Sequence, residues 1–327
     1  MKPDKTLIGY HIFYLLLATG LAYLYYVKIV LPADPDAPNS INAVASFETA
    51  KPYQFRILIP FIFFLFKPLT FIPQKTIYFI YTIIVTYLII IVYRKILAEY
   101  FQNKFAVLIC APVILYPMLW NYILLNQTYQ YYDFTAILVF TLGMYFIIKD
   151  NFKWFFIIFI IGIINKETSG YLVFAYLMFN YKIIFTRKII FTSELLVAVY
   201  IAAKLLLGYV FRHNPGDTVE FCMYENINII KTFISNKIYM KHILLSFGAM
   251  YVFLFLLFLT GRWKRFLPRN LVFINLAFLP NLLLGFFVTY YTEVRVYAEF
   301  IPLITTSFLI FLSTFDKLKL SPYNNNK

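Results

Sequence analysis

An amide, an ammonium, a carboxylate and two hydroxyls stand together at Asn165-Lys166-Glu167-Thr168-Ser169, between the apolar runs 154–164 and 171–181. An ionisable side chain at membrane depth costs about 2.5–3.5 kcal/mol on insertion scales, so it tends to be kept for a reason. Glu167 has the chemistry of a general base or a metal ligand, and Lys166 that of a phosphate partner. The two are adjacent, so a helix would point them in different directions and they need not pair. The plain alternative is a span-joining turn with snorkelling ends.

Four further groups have suitable residue types. Arg56 heads the apolar run 57–66. It can snorkel, or it can clamp a phosphate through two parallel hydrogen bonds, which Arg does better than Lys. In the stretch 290–299, Arg295 could hold a phosphate group with Glu293 ordering it, while its i, i+4 spacing from Glu299 would allow a helical ion pair. Asp34 and Asp36 lie two residues apart on a loop stiffened by Pro32, Pro35 and Pro38. They could serve as base and metal ligand, or simply form a polar turn. The tract 126–133 contains Gln130, Tyr132 and Asp133. Its tyrosines belong by default to an aromatic belt, and its amides and acid make a sugar-facing surface the other reading. Lone acids such as Glu220 and Glu225 read as solvated.

These groups need a scaffold, and composition defines it. Of the residues, 62% are hydrophobic, 21% aromatic and 13% charged, with mean hydropathy +0.74. A soluble domain has about 45–50% apolar and about 25% charged residues. Recurrent apolar runs near 20 residues therefore predict an all-α, polytopic transmembrane bundle, a single integral membrane domain over 1–327. The net charge of +14 is spread over short loops rather than gathered on one face, which argues against nucleic acid as a partner and for membrane lipids.

The apolar runs predict spans at 7–31, 76–93, 105–125, 134–148, 154–164, 171–184, 189–210, 240–259, 271–290 and 300–315. The first reads as a retained helix, since no small-residue cleavage site follows it. If 55–75 does not cross, Lys and Arg fall into one set of loops: 94–104, 149–153, 182–188, 262–269 and 317–319. If it does cross, that pattern collapses. The positive-inside rule prefers the first arrangement. The expectation is about ten spans with both termini cytoplasmic. Residues 32–75 form an outer loop with a surface or re-entrant helix, and 212–239 a second outer loop with a surface helix near 227–235.

Walker, GxGxxG, GxSxG and HExxH patterns do not occur. Cys110 falls inside a span and Cys222 in a loop, so they are not expected to bridge. His11, His213 and His242 are scattered, and any divalent metal would have to rest on carboxylates.

Several features together resemble the multi-pass glycosyltransferases of the GT-C superfamily. They are the acidic first outer loop, a surface helix before the second span, basic residues at span edges and many short aromatic-rich spans. The Arg-x-x-x-Pro run at 56–60, Asn-Lys-Glu-Thr at 165–168 and Glu-x-Arg at 293–295 are similar to patterns in bacterial members of that type. The resemblance implies a polyprenyl-phosphate sugar donor, a bacterial inner membrane and an acidic base in the first outer loop, matched by Asp34 or Asp36. Pro35 separates the two acids, where the family often has an adjacent pair. On this reading Arg56, Lys166 and Arg295 stabilise the leaving phosphate, with Asn165 in the same cluster, and Glu167 and Glu293 orient the cations or hold a metal. A polysaccharide polymerase or ligase using diphosphate-linked chains is one alternative. A non-enzymatic transporter with a continuous polar path is another.

Overall fold

The computed structural model describes residues 5–34, 37, 40–47, 49–66, 71–217, 221–261, 263 and 267–313. Among them the chain is helical and forms no strand. Seven helices are long and apolar enough to cross a membrane: α1 (Ile8–Val30), α3 (Gln74–Leu97), α4 (Lys104–Leu124), α8 (Arg187–Val210), α10 (Lys237–Leu259), α11 (Arg269–Val288) and α12 (Val294–Ser313). Between them lie the shorter helices α2 (Leu58–Leu65), α5 (Asp133–Ile148), α6 (Phe152–Asn165), α7 (Tyr171–Phe179) and α9 (Met223–Thr232).

Most of these boundaries follow from local chemistry. Pro73 precedes α3, and Asn103 and Asn151 cap α4 and α6 by accepting backbone N–H bonds on their side-chain oxygens. Pro112 and Pro117 cannot donate to the helical ladder, and α4 accordingly passes through a 3-10 turn before ending in a π-helical turn. The span expected at 171–184 is cut short because Asn180 ends α7 and a 3-10 turn follows. The first long loop contains α2, with Ile59, Pro60 and Phe63 buried. The second contains α9, close to the stretch where a surface helix was expected.

Burial separates the interior helices from the peripheral ones. In α12, 78% of the apolar window is buried; in α8 only 17% is. Helix α5 packs against α3, α6 and the first turns of α12, and its side chains are buried nearly all round. A helix apolar on every face is either interior or faces lipid, and here α5 takes the first role and α8 the second. Helix α8 lines up against α6 and α7, while α10 packs on α12.

The α5–α6 contact is close because Gly162 has no side chain. A Cβ there would stand 2.7 Å from Ser169 Oγ and 2.8 Å from Val139 Cγ1. Gly162→Ala is expected to destabilise the fold by about 1–3 kcal/mol through overpacking. A lower thermal midpoint in detergent checks this, and an unchanged midpoint would show that the helices can part freely.

Helix α10 is broken in the middle. Phe247, Gly248 and Ala249 have φ of 53°, 60° and 62°. Asn121 Oδ1 accepts the Phe247 N–H at 2.6 Å, and the Tyr116 hydroxyl donates to the Gly248 carbonyl at 3.3 Å. A Cβ on Gly248 would lie 2.1 Å from Tyr116 Cε1, so only glycine fits.

The two ends of the bundle differ. At one, Lys149 pairs with Glu99 at 2.7 Å and Lys95 lies over the Tyr145 ring. At the other, the long loops are tied together. Lys75 donates to the carbonyls of Leu31 and Ala33, Lys51 to that of Arg212, Gln127 to that of Thr292, and the Cys222 N–H to Phe287. The candidate site is at this second end.

Candidate functional site

Four elements bring charge to one place: the loop before α2, the start of α5, the turn between α6 and α7, and the start of α12. Helix α6 ends at Asn165 because Lys166 is extended (φ −160°, ψ 140°), and a 3-10 turn, Glu167–Gly170, follows. This change of direction sends Lys166 and Glu167 to different sides, as adjacency on the chain implied. Lys166 points inward and is 2% exposed. Its ammonium lies 2.6 Å from Glu299 Oε1 and 3.3 Å from Asp133 Oδ1. The Thr168 hydroxyl also donates to Glu299, at 2.8 Å. Arg295 reaches the other oxygen of Asp133 at 3.5 Å and Glu293 at 2.9 Å. The result is a buried chain of alternating charge from α6–α7 through α5 to α12.

Glu167 takes the other direction and meets Arg56. The contact is bidentate, Nε to Oε2 at 3.0 Å and Nη2 to Oε1 in a close second bond. The guanidinium also donates to the Tyr132 hydroxyl and lies 4.3 Å from the centre of that ring. Tyr132 thus joins the two halves, and the Asn165 amide donates to its backbone carbonyl at 3.2 Å. Arg56 and Arg295 are nearly covered, while the carboxylates they hold, Glu167 and Glu293, remain 38% and 34% exposed. The open side of the network is therefore carboxylate with arginine directly behind it.

Burial alone would raise the Glu167 carboxyl. The Arg56 guanidinium outweighs that and holds it down at about 2. A group lowered from 4.5 contributes stability above about 4.5 and loses it as pH falls through about 2. The difference in melting temperature between wild type and Glu167→Gln is expected to stay constant from pH 7 to pH 5 and to shrink below that. A difference that already declines above pH 5 would show that the arginine does not hold the carboxylate.

The structure brings together Arg56, Asn165, Lys166, Glu167, Glu293, Arg295, Tyr132 and Asp133. It places the acids of the first loop differently. Asp34 is exposed just beyond α1, and the described contacts of the network do not include it; Asp36 lies outside the described residues. The tract read as sugar-facing is interior: Gln130, Tyr132 and Asp133 are 2%, 1% and 1% exposed. The reason is electrostatic, since Asp133 is the shared counter-ion of Lys166 and Arg295. The i, i+4 pairing of Arg295 with Glu299 does not form. Val294–Phe300 is a 3-10 helix, and at about three residues per turn those positions lie about 120° apart rather than stacked.

Glu299 is the functional candidate that spacing alone missed. Its signal is a carboxylate at the head of an apolar run, where an ionisable group needs a partner. Among the described residues, no three His, Cys, Asp or Glu side chains gather as a metal site requires. Glu167 and Glu293 are each held by an arginine instead. Cys110 and Cys222 are not bridged to each other.

Beside Glu293 opens a cleft of about 900 Å³ between α9, the start of α10 and the α11–α12 loop. Asn228, Thr232, Asn236, Tyr239, Tyr290 and Thr292 contribute to its walls. The His242 ring and the Gln127 amide both reach the Thr292 carbonyl, fixing its floor. Glu225, Lys237, Ile229 and Ile238 line it as well, so the surface mixes hydrogen-bonding groups, one charge of each sign and apolar side chains.

No protein-family model, no curated protein and no solved structure matches the chain.

Proposed function

We propose that the protein is a membrane glycosyltransferase that moves a sugar from a polyprenyl-phosphate donor to an acceptor on the non-cytoplasmic side of a bacterial inner membrane. In this reading α5, α6 and α7 cross together with the seven long helices, giving about ten spans, and both termini are cytoplasmic. The end holding the Glu99–Lys149 pair carries the basic loops and faces the cytoplasm. Helix α2 stays on the outer side as a surface or re-entrant element.

The observation that carries the reading is the arrangement of Arg56–Glu167 and Arg295–Glu293 as two half-open pairs on one buried ionic frame. Arg56 meets one partly exposed carboxylate, and Arg295 meets partly exposed Glu293 besides buried Asp133; each guanidinium is positioned to exchange its exposed anion for a phosphate. In the reaction the acceptor hydroxyl oxygen attacks the anomeric carbon. The bond from that carbon to the phosphate oxygen breaks, and its electron pair stays with the leaving phosphate. Arginines fixed where that charge grows lower the barrier. The hydroxyl proton passes to a carboxylate. Asp34, exposed on the first loop, suits this role better than Glu167, whose carboxyl is too acidic to be an effective base. Asp36 shares the assignment through the resemblance. The cleft beside Glu293, with its amides and hydroxyls, suits the acceptor.

The experiment is incorporation of labelled sugar by purified protein supplied with polyprenyl-phosphate sugars. Transfer only from diphosphate-linked donors would move the protein to the polymerase or ligase class. No transfer from either donor, with lipid-linked sugar crossing proteoliposomes instead, would replace catalysis with transport. Full transfer by an Asp34→Asn/Asp36→Asn double variant would remove both acids as base.

A further inference from the structure

Lys204 is a cation of the site region that stands outside the direct ion pairs of the network among the described residues. It lies on α8, about 9 Å before the end of that helix at Val210. Among the described residues it forms no ion pair, whereas Arg56, Lys166 and Arg295 are each bound to one or two carboxylates. Its ammonium sits 5.7 Å from the centre of the Tyr200 ring, one turn away. It is within electrostatic reach of both Glu167 and Arg56.

Tyr200 is well fixed. Its hydroxyl donates to the Glu167 carbonyl at 3.1 Å, and its ring packs over Gly170, where a Cβ would stand 3.1 Å from Cε2. Another turn along α8, Gly208 has open space where a side chain would be. Tyr200, Lys204 and Gly208 share one stripe of the helix. From Leu195 on, the rest of α8 is apolar and largely exposed, with Leu205, Leu206, Tyr209 and Val210 all uncovered. A lysine on a lipid-facing helix is costly without an anion, and a bilayer offers one chiefly as lipid phosphate.

We infer that Lys204, braced by the Tyr200 ring, forms a lateral binding site for the phosphate of a polyprenyl-phosphate lipid, which enters between α8 and the Glu167 turn from within the bilayer. The inference rests on the donor class proposed above and adds where that donor is first held. The hydrocarbon chain lies along the apolar face of α8 past Gly208. The phosphate meets an ammonium that is in no direct ion pair among the described residues, and Arg56 lies next on its path. Lys204 here binds and positions.

The test uses full-length protein in phosphatidylcholine nanodiscs and native mass spectrometry with three probes: polyprenyl monophosphate, phosphatidylglycerol and inorganic phosphate. Expected is saturable binding of the polyprenyl phosphate at least tenfold tighter than of phosphatidylglycerol, with no binding of inorganic phosphate. Lys204→Gln should weaken it about tenfold, the loss of one charge-assisted contact, and Lys204→Arg should restore most of it. A photoreactive polyprenyl phosphate should label α8 in wild type and lose that label in Lys204→Gln. Equal binding of phosphatidylglycerol, or unchanged binding and labelling in Lys204→Gln, overturns the site. Lys204-dependent binding without any sugar transfer retains the site and rejects the enzymatic reading. Transfer by a protein whose binding ignores Lys204 does the reverse.

Discussion

Lys166→Met is expected to lower stability by about 3–5 kcal/mol, the usual effect of removing one partner from a buried ion pair. The size follows from what is left behind. Lys166 is 3% exposed in its side chain and faces two carboxylates that are exposed by 1% or less. Asp133 would retain Arg295 at 3.5 Å. Among the described side chains Glu299 would retain the Thr168 hydroxyl, a neutral donor at 2.8 Å. An uncompensated carboxylate in a low-dielectric interior is the main cost. Pairing the change with Glu299→Gln should recover more than half of the loss, because the orphaned charge is then gone. Unfolding of the detergent-solubilised protein by heat or by added SDS gives the comparison. If the single and double variants match wild type, the frame does not hold α5, α6 and α12 together.

Arg56→Ala is expected to act the other way round, on activity more than on folding. Sugar transfer should fall about 10²–10³-fold, the range seen when one preorganised charge-stabilising donor is removed. The thermal midpoint should fall too, but by less than in Lys166→Met, because Glu167 is 38% exposed and water can partly solvate it once the guanidinium is gone. Arg56→Lys should recover little activity, since an ammonium cannot reproduce the bidentate contact with Glu167 together with the bond to Tyr132. Glu167→Gln separates the roles. If phosphate replaces the carboxylate on Arg56, this variant should bind donor at least as tightly as wild type. Wild-type transfer by Arg56→Ala would take Arg56 out of the reaction.

The contrast between these variants shows which parts of the site were legible from sequence. Polar residues flanked by hydrocarbon are conspicuous, so Lys166, Glu167, Arg56, Glu293 and Arg295 could be singled out from position alone. Their partners could not. Lys166 meets a carboxylate 133 residues further on, and nothing in local spacing encodes that contact. The Arg295–Glu299 expectation failed because it assumed an α-helix, and the backbone there is a 3-10 helix. The tract 126–133 was read as surface because tyrosines and amides favour interfaces; its acid is interior because two cations require it. The helical membrane class followed directly from apolar run length. The short helices α5, α6 and α7 have too few residues for length alone to decide whether they cross.

The break in α10 has a consequence for the cleft beside Glu293. Left-handed conformations at Phe247 and Ala249 are unfavourable for residues bearing a Cβ, by about 1–2 kcal/mol each, and they persist because α4 side chains hold the backbone there. The segments on either side share no continuous helical ladder. Met250–Leu259 stays packed on α12, while Lys237–Leu245 contributes Lys237, Ile238 and Tyr239 to the cleft wall. The break thus lets the outer segment take a direction of its own, fixed by the contacts of His242 with Thr292 and of Tyr251 with Ile243, while the inner segment stays anchored in the bundle.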